Sequence, residues 1–417
     1  MTASSFSVLF LALLSGGLLL RLYLASRQIA HVRRHRGAVP PAFAASIGLE
    51  AHQKAADYTV ARVQLGMMDL LVSAILLFGL TLGGGLEALY GLASQGFTPG
   101  SLGHGLAFMA GVAVLSWVVD LPLGIYRSFG LEARFGFNRL TPGLFVADTI
   151  KGILVSAAIG LPLLAAVLWL MDAMGERWWL YVWAFWLAFN LLAMLIYPTF
   201  IAPLFNKFQP LPEGELKTRI EGLMARCKFQ LAGLFVMDGS RRSAHGNAYF
   251  TGFGASRRIV FFDTLIEKLE PIEIEAVLAH ELGHYHHRHL WKRLGVIGAG
   301  SLALFALLGD VASQPWFFEG LGMQAQGTAP TLVLFALVLP VFTFPLTPFM
   351  SHWSRHHEFE ADAYAARQAP ASALVSALVK LYRDNASTLT PDPLYSSIYD
   401  SHPPAAIRIG RLHASKA

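Results

Sequence analysis

Seven apolar stretches of roughly 20 residues constrain this chain more than any other feature of its sequence. A hydrocarbon layer about 30 Å thick requires about 20 consecutive apolar residues from a helix that crosses it. The composition agrees, since 54% of the 417 residues are hydrophobic and only 14% are charged. We therefore predict an all-α multi-pass membrane protein. The predicted spans lie near residues 5–25, 66–87, 104–126, 149–172, 178–200, 294–314 and 328–351.

The basic residues lie almost entirely on one side of the predicted spans. Of the 32 Lys and Arg residues, all but Arg21 and Arg177 lie in four large polar segments or, for Lys151, at the mouth of a helix. Because loops rich in Lys and Arg stay in the cytoplasm, we predict cytoplasmic polar segments, an outside N-terminus and a cytoplasmic C-terminus. No Lys or Arg precedes the first apolar run, which predicts a retained anchor rather than a cleaved signal peptide. The four segments are 26–62, 127–142, 201–293 and 351–417.

The net charge and the number of cysteines limit which partners and which metal ligands are possible. The formal charge of +5 follows the membrane pattern, so we predict contact with lipid and no nucleic-acid partner. The single cysteine, Cys227, excludes an internal disulfide and a cysteine-based metal site. Within the spans, Asp120 is a candidate to line an internal cavity, and a hydrated position near the interface is the alternative.

The motif His280-Glu281-Leu282-Gly283-His284 lies on a predicted helix of the segment 201–293. The i, i+4 spacing puts His280 and His284 on one face, where both imidazoles can bind one zinc ion. Glu281 projects beside them and can take a proton from the attacking water and pass it to the leaving amine. We therefore predict metal-assisted hydrolysis with Glu281 as the general base. A helix with ordinary hydrated histidines is the alternative.

The third metal ligand is predicted on a second helix that follows the seventh span. One class of zinc proteases would require a glycine and a histidine where this chain has His287 and Leu290, so that class is excluded. Glu358 can complete a site of two histidines and one glutamate, and Asp362, on the same face, can buttress a ligand imidazole. Glu360 points about 200° around the helix from Glu358 and is predicted to lie on the surface. Six other histidines are predicted to be solvated or bound to lipid headgroups: His286, His287, His289, His352, His356 and His357.

Two strand-like runs, 231–237 and 258–262, predict a small β-sheet in the same cytoplasmic segment. The extended run 247–251 lies between them and can form the edge of that sheet. An exposed edge can bind an extended peptide through backbone hydrogen bonds, largely independently of its side chains. We therefore predict that Asn247 and Ala248 bind substrate, with a plain hairpin as the alternative.

Further motifs extend from about residue 130 to the C-terminus. They are Phe135-Gly136-Phe137-Asn138-Arg139, the stretch 238–252, Glu358-Phe359-Glu360-Ala361-Asp362, and Ser401-His402-Pro403-Pro404 with Arg408 six residues beyond the histidine. Together with the HExxH, these motifs make the chain similar to the type I CAAX prenyl protease family of integral-membrane zinc endopeptidases, to which the bacterial heat-shock membrane proteases are related. The seven predicted helices agree with this resemblance.

The resemblance implies a helical barrel around a large water-filled chamber, which a peptide or protein substrate, lipidated or not, enters to be cut. It implies one zinc ion per chain at the cytoplasmic end, with Glu281 as base. The implied zinc ligands are His280, His284 and Glu358. It also implies that His402 and Arg408 approach the site and stabilise the oxyanion or the substrate. For His402, a plain turn residue before two prolines is the alternative.

On this basis we divide the chain into four parts. Residues 1–200 carry five spans, 201–293 the β-hairpin and the HExxH helix, 294–351 two spans, and 352–417 the third ligand and the His-Pro motif. The Ala- and Gly-rich composition favours a bacterial source and therefore an inner membrane with a cytoplasmic active site. A bacterial chain would meet few prenylated substrates, which favours quality control of membrane proteins or cleavage of other hydrophobic peptides.

Two other functions are consistent with clustered histidines on a helical membrane protein. A di-iron oxygenase of the fatty-acid desaturase kind also places histidine clusters on the cytoplasmic face, but it has no use for Glu281 between two ligands. A non-catalytic scaffold or transporter can use a bound metal ion to hold the segment 271–290 against the segment 355–365. A purely structural site, however, needs no base and usually has a fourth protein ligand.

Overall fold

The computed structural model describes residues 1–252 and 257–414, and most of these residues are helical. Seven helical stretches among them are long and apolar enough to cross a membrane, which confirms the predicted number of spans. They are Ala3–Arg34, Leu49–Leu80, Leu102–Glu132, Pro142–Ala173, Gly175–Phe205, His289–Val311 and Thr328–Gln368.

The helices are numbered in chain order. Those of the first half are α1 (Ala3–Arg34), α2 (Leu49–Leu80), α3 (Gly85–Ala93), α4 (Leu102–Ile125), α5 (Pro142–Ala173), α6 (Trp178–Ile196), α7 (Ala202–Phe205) and α8 (Glu215–Arg226). Those of the second half are α9 (Asp263–Ile266), α10 (Pro271–His286), α11 (His289–Val311), α12 (Pro315–Glu319), α13 (Thr328–Thr343), α14 (Thr347–Gln368), α15 (Ala371–Asp384), α16 (Pro393–Tyr399) and α17 (Ala405–Ala414). Short π-helical turns at Tyr126–Glu132 and Tyr197–Ile201 extend α4 and α6.

The spans form the wall of a chamber and do not pack into a solid bundle. Of the most apolar 18-residue stretch of each span, only 6–17% is buried inside the protein, so most of each span faces lipid or the interior space. One cleft of about 310 Å³ lies between α1, α2, α4 and α13, and Arg21 and Asp120 line it. Asp120 is exposed at this cleft, so its placement in an internal cavity stays a prediction.

The seventh span and the helix of the predicted third ligand are one continuous helical run. We predicted a span that ends near residue 351 and a separate helix after it. Instead, α13 passes through a 3₁₀ turn, Phe344–Leu346, directly into α14. Pro345 and Pro348 lie at first-turn positions, where proline interrupts the hydrogen-bond ladder without ending the helix. The predicted third ligand, Glu358, therefore lies on an extension of a membrane helix.

The predicted sheet is present and has four strands. They are β1 (Phe208–Pro210), β2 (Gly233–Met237), β3 (Ala248–Thr251) and β4 (Arg258–Phe262), in the order β1-β2-β4-β3. β2 and β4 are parallel, and the outer pairs are antiparallel. β3 is therefore an edge strand, as predicted, whereas β1 was not predicted.

The apolar core formed by the sheet and its neighbouring helices surrounds α10. Ile259 and Phe261 of β4, Leu278 and Leu282 of α10, and Leu374 of α15 are all buried in one apolar cluster. α10 also packs against α8 and α14. Because its sides are covered by other elements, α10 is a rigid support for the side chains that it directs toward α14.

Candidate active site

Local sequence signals explain where α10 begins and ends. Pro271 occupies the first turn, and Glu270 and Glu273 form a capping box in which each side chain accepts a hydrogen bond from the other's backbone N–H. After His286 the chain turns sharply at Arg288, whose φ of 56° lies in the left-handed region, and α11 begins. The HExxH motif thus lies in the last two turns of a well-defined helix.

α10 and α14 approach closely because residue 283 is a glycine. A Cβ added at Gly283 would lie 2.8 Å from the Cα of Ala361 and 2.9 Å from its carbonyl oxygen. Real Cβ atoms do not come so near to backbone atoms. The close approach brings the HExxH histidines opposite Glu358.

His280, His284 and Glu358 meet at one point between the two helices. The two histidine Nε2 atoms are 3.2 Å apart, and the Glu358 carboxylate oxygens lie 3.4 Å from His280 Nε2 and 3.3 Å from His284 Nε2. Two ligand atoms at about 2.0–2.1 Å from a tetrahedral zinc ion would be about 3.3–3.4 Å apart. The donor set and its spacing therefore fit zinc.

The buried carboxylate of Glu358 supports the same fit. Its side chain is only 2% exposed, and Oε2 has no hydrogen-bond partner among the described residues. A buried carboxylate oxygen without a partner is costly unless a cation compensates for it. Burial lowers the pKa of His280, but the carboxylates of Asp362 and Glu358 outweigh this effect and raise the pKa to about 9. The surroundings of His280 thus favour a positive charge at this point.

Asp362 and Arg408 hold the imidazole of His280. The Nδ1 of His280 lies 2.9 Å from Asp362 Oδ1, so Nδ1 carries the hydrogen and Nε2 is left as a ligand. Arg408 donates from Nε and Nη2 to the two oxygens of Asp362, at 2.8 and 2.6 Å. All three side chains are buried, so the ring of His280 is tightly restrained.

His402 and Arg408 both approach the metal-ligand cluster. His402 Nε2 lies 3.4 Å from Glu358 Oε1, and Arg408 Nη1 lies 3.7 Å from Glu358 Oε2. Desolvation lowers the pKa of His402, and the nearby Glu358 carboxylate opposes this effect.

A cavity of about 690 Å³ connects the cluster with the sheet edge. Glu281, Asn247 and Ala248 line it together with His280 and Glu358. The Asn247 carbonyl oxygen accepts a hydrogen bond from the Phe262 backbone N–H at 2.9 Å, so Asn247 faces β4. Alternate residues of a strand turn their backbone groups to opposite sides, and Ala248 therefore turns to the open edge. Its N–H donates to Asn247 Oδ1 at 2.8 Å.

The other walls of this cavity include residues that the sequence reasoning missed. Tyr58 donates to Glu132 at 2.6 Å, and His245 lies 3.5 Å from the same carboxylate and stacks on Phe137. Phe137 and His245 belong to two of the quoted motifs, which form a β-bridge between Asn138 and Ser243, but their meeting could not be read from spacing. An apolar wall from α15 consists of Leu374, Leu378 and Leu381.

Two predictions about polar residues near the site are wrong. Glu360 is not simply on the surface, because its side chain is 29% exposed and its Oε2 lies 2.7 Å from His289 Nε2. His289 and His357 are not solvated, being only 2% and 1% exposed. The N-terminal turn of α11 covers this side of α14, which the helical angle alone does not reveal.

The seven-span chamber and the HExxH site together define an integral-membrane metalloendopeptidase. Residues 28–207 match the family described as "CAAX prenyl protease N-terminal, five membrane helices", and residues 210–416 match "Peptidase family M48". The chain therefore belongs to peptidase family M48.

Relatives of known name agree over most of the chain. A CAAX prenyl protease 1 homolog of Oryza sativa is 42% identical over 74% of this chain and 73% of its own length. One of Caenorhabditis elegans is 34% identical over 99% of both chains. The crystal structure of S. mikatae Ste24p matches with a TM-score of 0.90 and 33% identity, over 98% of this chain and 99% of that one. These relatives are eukaryotic, and the comparisons support neither a bacterial source nor the oxygenase and scaffold alternatives.

Proposed function

We propose that the chain is a zinc-dependent endopeptidase that cuts prenylated CAAX-type or other hydrophobic peptides inside its chamber. One observation carries this proposal: the ligand atoms of His280, His284 and Glu358 lie 3.2–3.4 Å apart beside a cavity that Glu281 also lines. A cluster that is built for a metal and open to a substrate-sized space is suited to hydrolysis rather than to a structural role.

The side chains of His280, His284 and Glu358 would hold one zinc ion. When bound, zinc polarises the scissile carbonyl and makes water a competent nucleophile at neutral pH. Asp362 keeps the Nε2 of His280 free for this task by accepting the hydrogen of Nδ1.

Glu281 moves the proton. As the water oxygen attacks the carbonyl carbon, the Glu281 carboxylate takes a water proton. It then gives that proton to the amide nitrogen while the carbon–nitrogen bond breaks. The second water proton leaves the new carboxyl group and ends on the amine, so the products are a carboxylate and an ammonium group.

His402 is our candidate for stabilising the oxyanion. Negative charge develops on the cleaved carbonyl oxygen, and a donor aimed at that charge is worth about 3 kcal/mol. Arg408 has two of its nitrogens engaged by Asp362. We therefore assign Arg408 to positioning Asp362 and Glu358, with its charge adding to the stabilisation of the oxyanion.

The edge of β3 is our candidate for binding the peptide backbone. Asn247 and Ala248 lie in the same cavity as Glu281. A substrate that adds to β3 as a further strand would be held through its main chain, which allows varied side chains near the cut.

The substrate class and the orientation rest on separate observations. The relatives of Oryza sativa and Caenorhabditis elegans are named CAAX prenyl protease 1 homologs, which supports a lipidated peptide. The distribution of Lys and Arg supports a cytoplasmic active site and an outside N-terminus.

The decisive experiment compares wild-type protein with Glu281→Gln. The purified protein, loaded with zinc, is incubated with prenylated and unprenylated versions of one peptide, and the cuts are located by mass spectrometry. We expect wild type to prefer the prenylated peptide, and Glu281→Gln to keep one zinc per chain but to lose roughly 100-fold or more of the cleavage rate. Unchanged cleavage by this variant would refute the assigned base, and two irons per chain would refute the zinc site.

A further inference from the structure

The second metal-ligand histidine is held by a hydrogen-bonded chain of its own. The Nδ1 of His284 lies 2.9 Å from the Nδ1 of His289, and the Nε2 of His289 lies 2.7 Å from Glu360 Oε2. His289 is 2% exposed, so water does not compete freely for these contacts. The arrangement parallels the contact of His280 with Asp362 on the other side of the site.

The positions of the hydrogens follow from the donors and acceptors available. An ionised Glu360 can only accept, so the hydrogen of a neutral His289 is on Nε2 and its Nδ1 is bare. The bare Nδ1 accepts, so His284 carries its hydrogen on Nδ1 and donates it. The Nε2 of His284 is then left with a free lone pair, directed at Glu358 and at the Nε2 of His280.

We propose that Glu360 and His289 are positioning residues that fix the tautomer and the ring orientation of His284 for metal binding. Glu360 acts only through His289, and His289 acts through His284. This inference rests on the proposed function, because it concerns a ligand of the proposed zinc site.

Packing restrains the middle member of the chain. The ring of His289 stacks on the ring of His357, with centroids 3.9 Å apart and planes within 11° of each other. His357 is 1% exposed, and its ring also packs edge-on against the ring of Trp353. His289 also begins α11 immediately after the sharp turn at Arg288, so it has little freedom to rotate away from His284.

The same residues could be read as a second metal site. Ligand atoms of His289, His357 and Glu360 lie within 4.8 Å of one another. Their geometry favours the positioning role, however, because both nitrogens of His289 already have partners. Stacked, nearly parallel imidazoles also direct their in-plane nitrogens side by side rather than toward one point.

Zinc affinity tests the proposal without relying on cleavage. Full-length protein in detergent is stripped of metal and titrated with zinc against a competing chelator. We expect Glu360→Ala and His289→Phe, which keeps the stacked ring, each to weaken zinc binding roughly 10- to 100-fold. Glu360→Gln retains an acceptor oxygen for His289 and should recover most of the lost affinity.

A double-variant cycle separates positioning from general structural damage. Because Glu360 acts through His289, Glu360→Ala should cause no further loss in the His289→Phe background. The matched control is His356→Ala, since His356 is exposed and lies 3.6 Å from the other oxygen of Glu360. This control should bind zinc as wild type does.

Each outcome has a distinct meaning. Wild type that binds no zinc overturns the proposed function itself. Wild type that binds one zinc, with Glu360→Ala and His289→Phe binding equally well, overturns only the positioning role, as do additive effects in the double variant. Two zinc ions in wild type and one in Glu360→Ala would replace the positioning role with a second metal site.

Discussion

Glu273 is an ionised, buried side chain in the first turn of α10. Its carboxylate is 4% exposed and accepts hydrogen bonds from Lys380 Nζ at 2.8 Å, from Ser376 Oγ at 2.6 Å and from the Glu270 backbone N–H at 2.8 Å. Burial would raise the pKa of Glu273, but the hydrogen bonds from Lys380 and Ser376 outweigh it and lower the pKa. A single carboxylate therefore caps α10 and ties it to α15.

A lowered pKa in the folded state gives the sign of the pH dependence. The stabilisation by Glu273 is complete above the unfolded pKa of about 4.3 and is lost as pH falls through the lower folded pKa. We expect Glu273→Gln to cost about 1–3 kcal/mol at pH 7, seen as a lower Tm in detergent. The difference in Tm from wild type should shrink below about pH 4.

The control for this prediction is Glu215→Gln. Glu215 is 65% exposed and pairs with Arg219 on the same helix, so its loss should leave Tm nearly unchanged. A difference between Glu273→Gln and wild type that stays equal at pH 7 and at pH 3 would contradict the role of the charge.

At the residue scale, helical spacing correctly predicted which side chains could meet. It did not predict which other elements would cover those side chains. The i, i+4 pairs His280 with His284 and Glu358 with Asp362 lie as expected. The 200° separation of Glu360 from Glu358 is also sound as helix geometry. The sequence could not indicate that α11 would cover that other side, because the cover depends on the turn at Arg288.

At the element scale, the contact between α10 and α14 controls the site. Gly283 has no room for a methyl group against Ala361. We expect Gly283→Ala to push α14 away, to separate Glu358 from the two histidines, and to lower zinc affinity roughly tenfold or more. Chelator competition measures this change, and Tm should fall with it.

Gly410→Ala in α17 serves as the matched control. A Cβ at Gly410 meets nothing within 4 Å, so this helical glycine can accept alanine without a clash. Wild-type zinc affinity in Gly283→Ala would contradict the close contact between α10 and α14.

The elements themselves were predictable to different degrees. The apolar runs and the strands β2, β3 and β4 follow directly from patterning. The continuity of α13 with α14 was not predicted, since Pro345 and Pro348 resemble a break and only their first-turn positions make them compatible with a helix. β1 was missed because three residues give almost no alternation to detect.

At the scale of the whole molecule, the orientation in the membrane can be tested with the single cysteine. In a Cys227→Ser background, Glu176→Cys lies in a predicted outside loop and Glu213→Cys in a predicted cytoplasmic segment. Both positions are exposed. We expect a membrane-impermeant maleimide to label position 176 in intact cells and position 213 only after permeabilisation.

The parent Cys227→Ser protein is the blank for this labelling. Labelling of position 213 in intact cells, with position 176 protected, would show the opposite orientation, with the HExxH site on the outside.

The number of spans was predictable because the length of each apolar run matches the thickness of the bilayer. The hollow interior was not, since composition does not distinguish a lipid-facing side from a chamber-facing side.

The continuous helical run from α13 through α14 connects a metal ligand of the site directly to a membrane span. Glu358 stands about 18 Å along the helix from the turn at Leu346, while the two histidines belong to α10, which leads directly into a different span. The third ligand and the two histidines are thus connected to different membrane spans. We therefore expect a change in the tilt of one span relative to the other to strain the contact between Gly283 and Ala361, which holds the three ligands together.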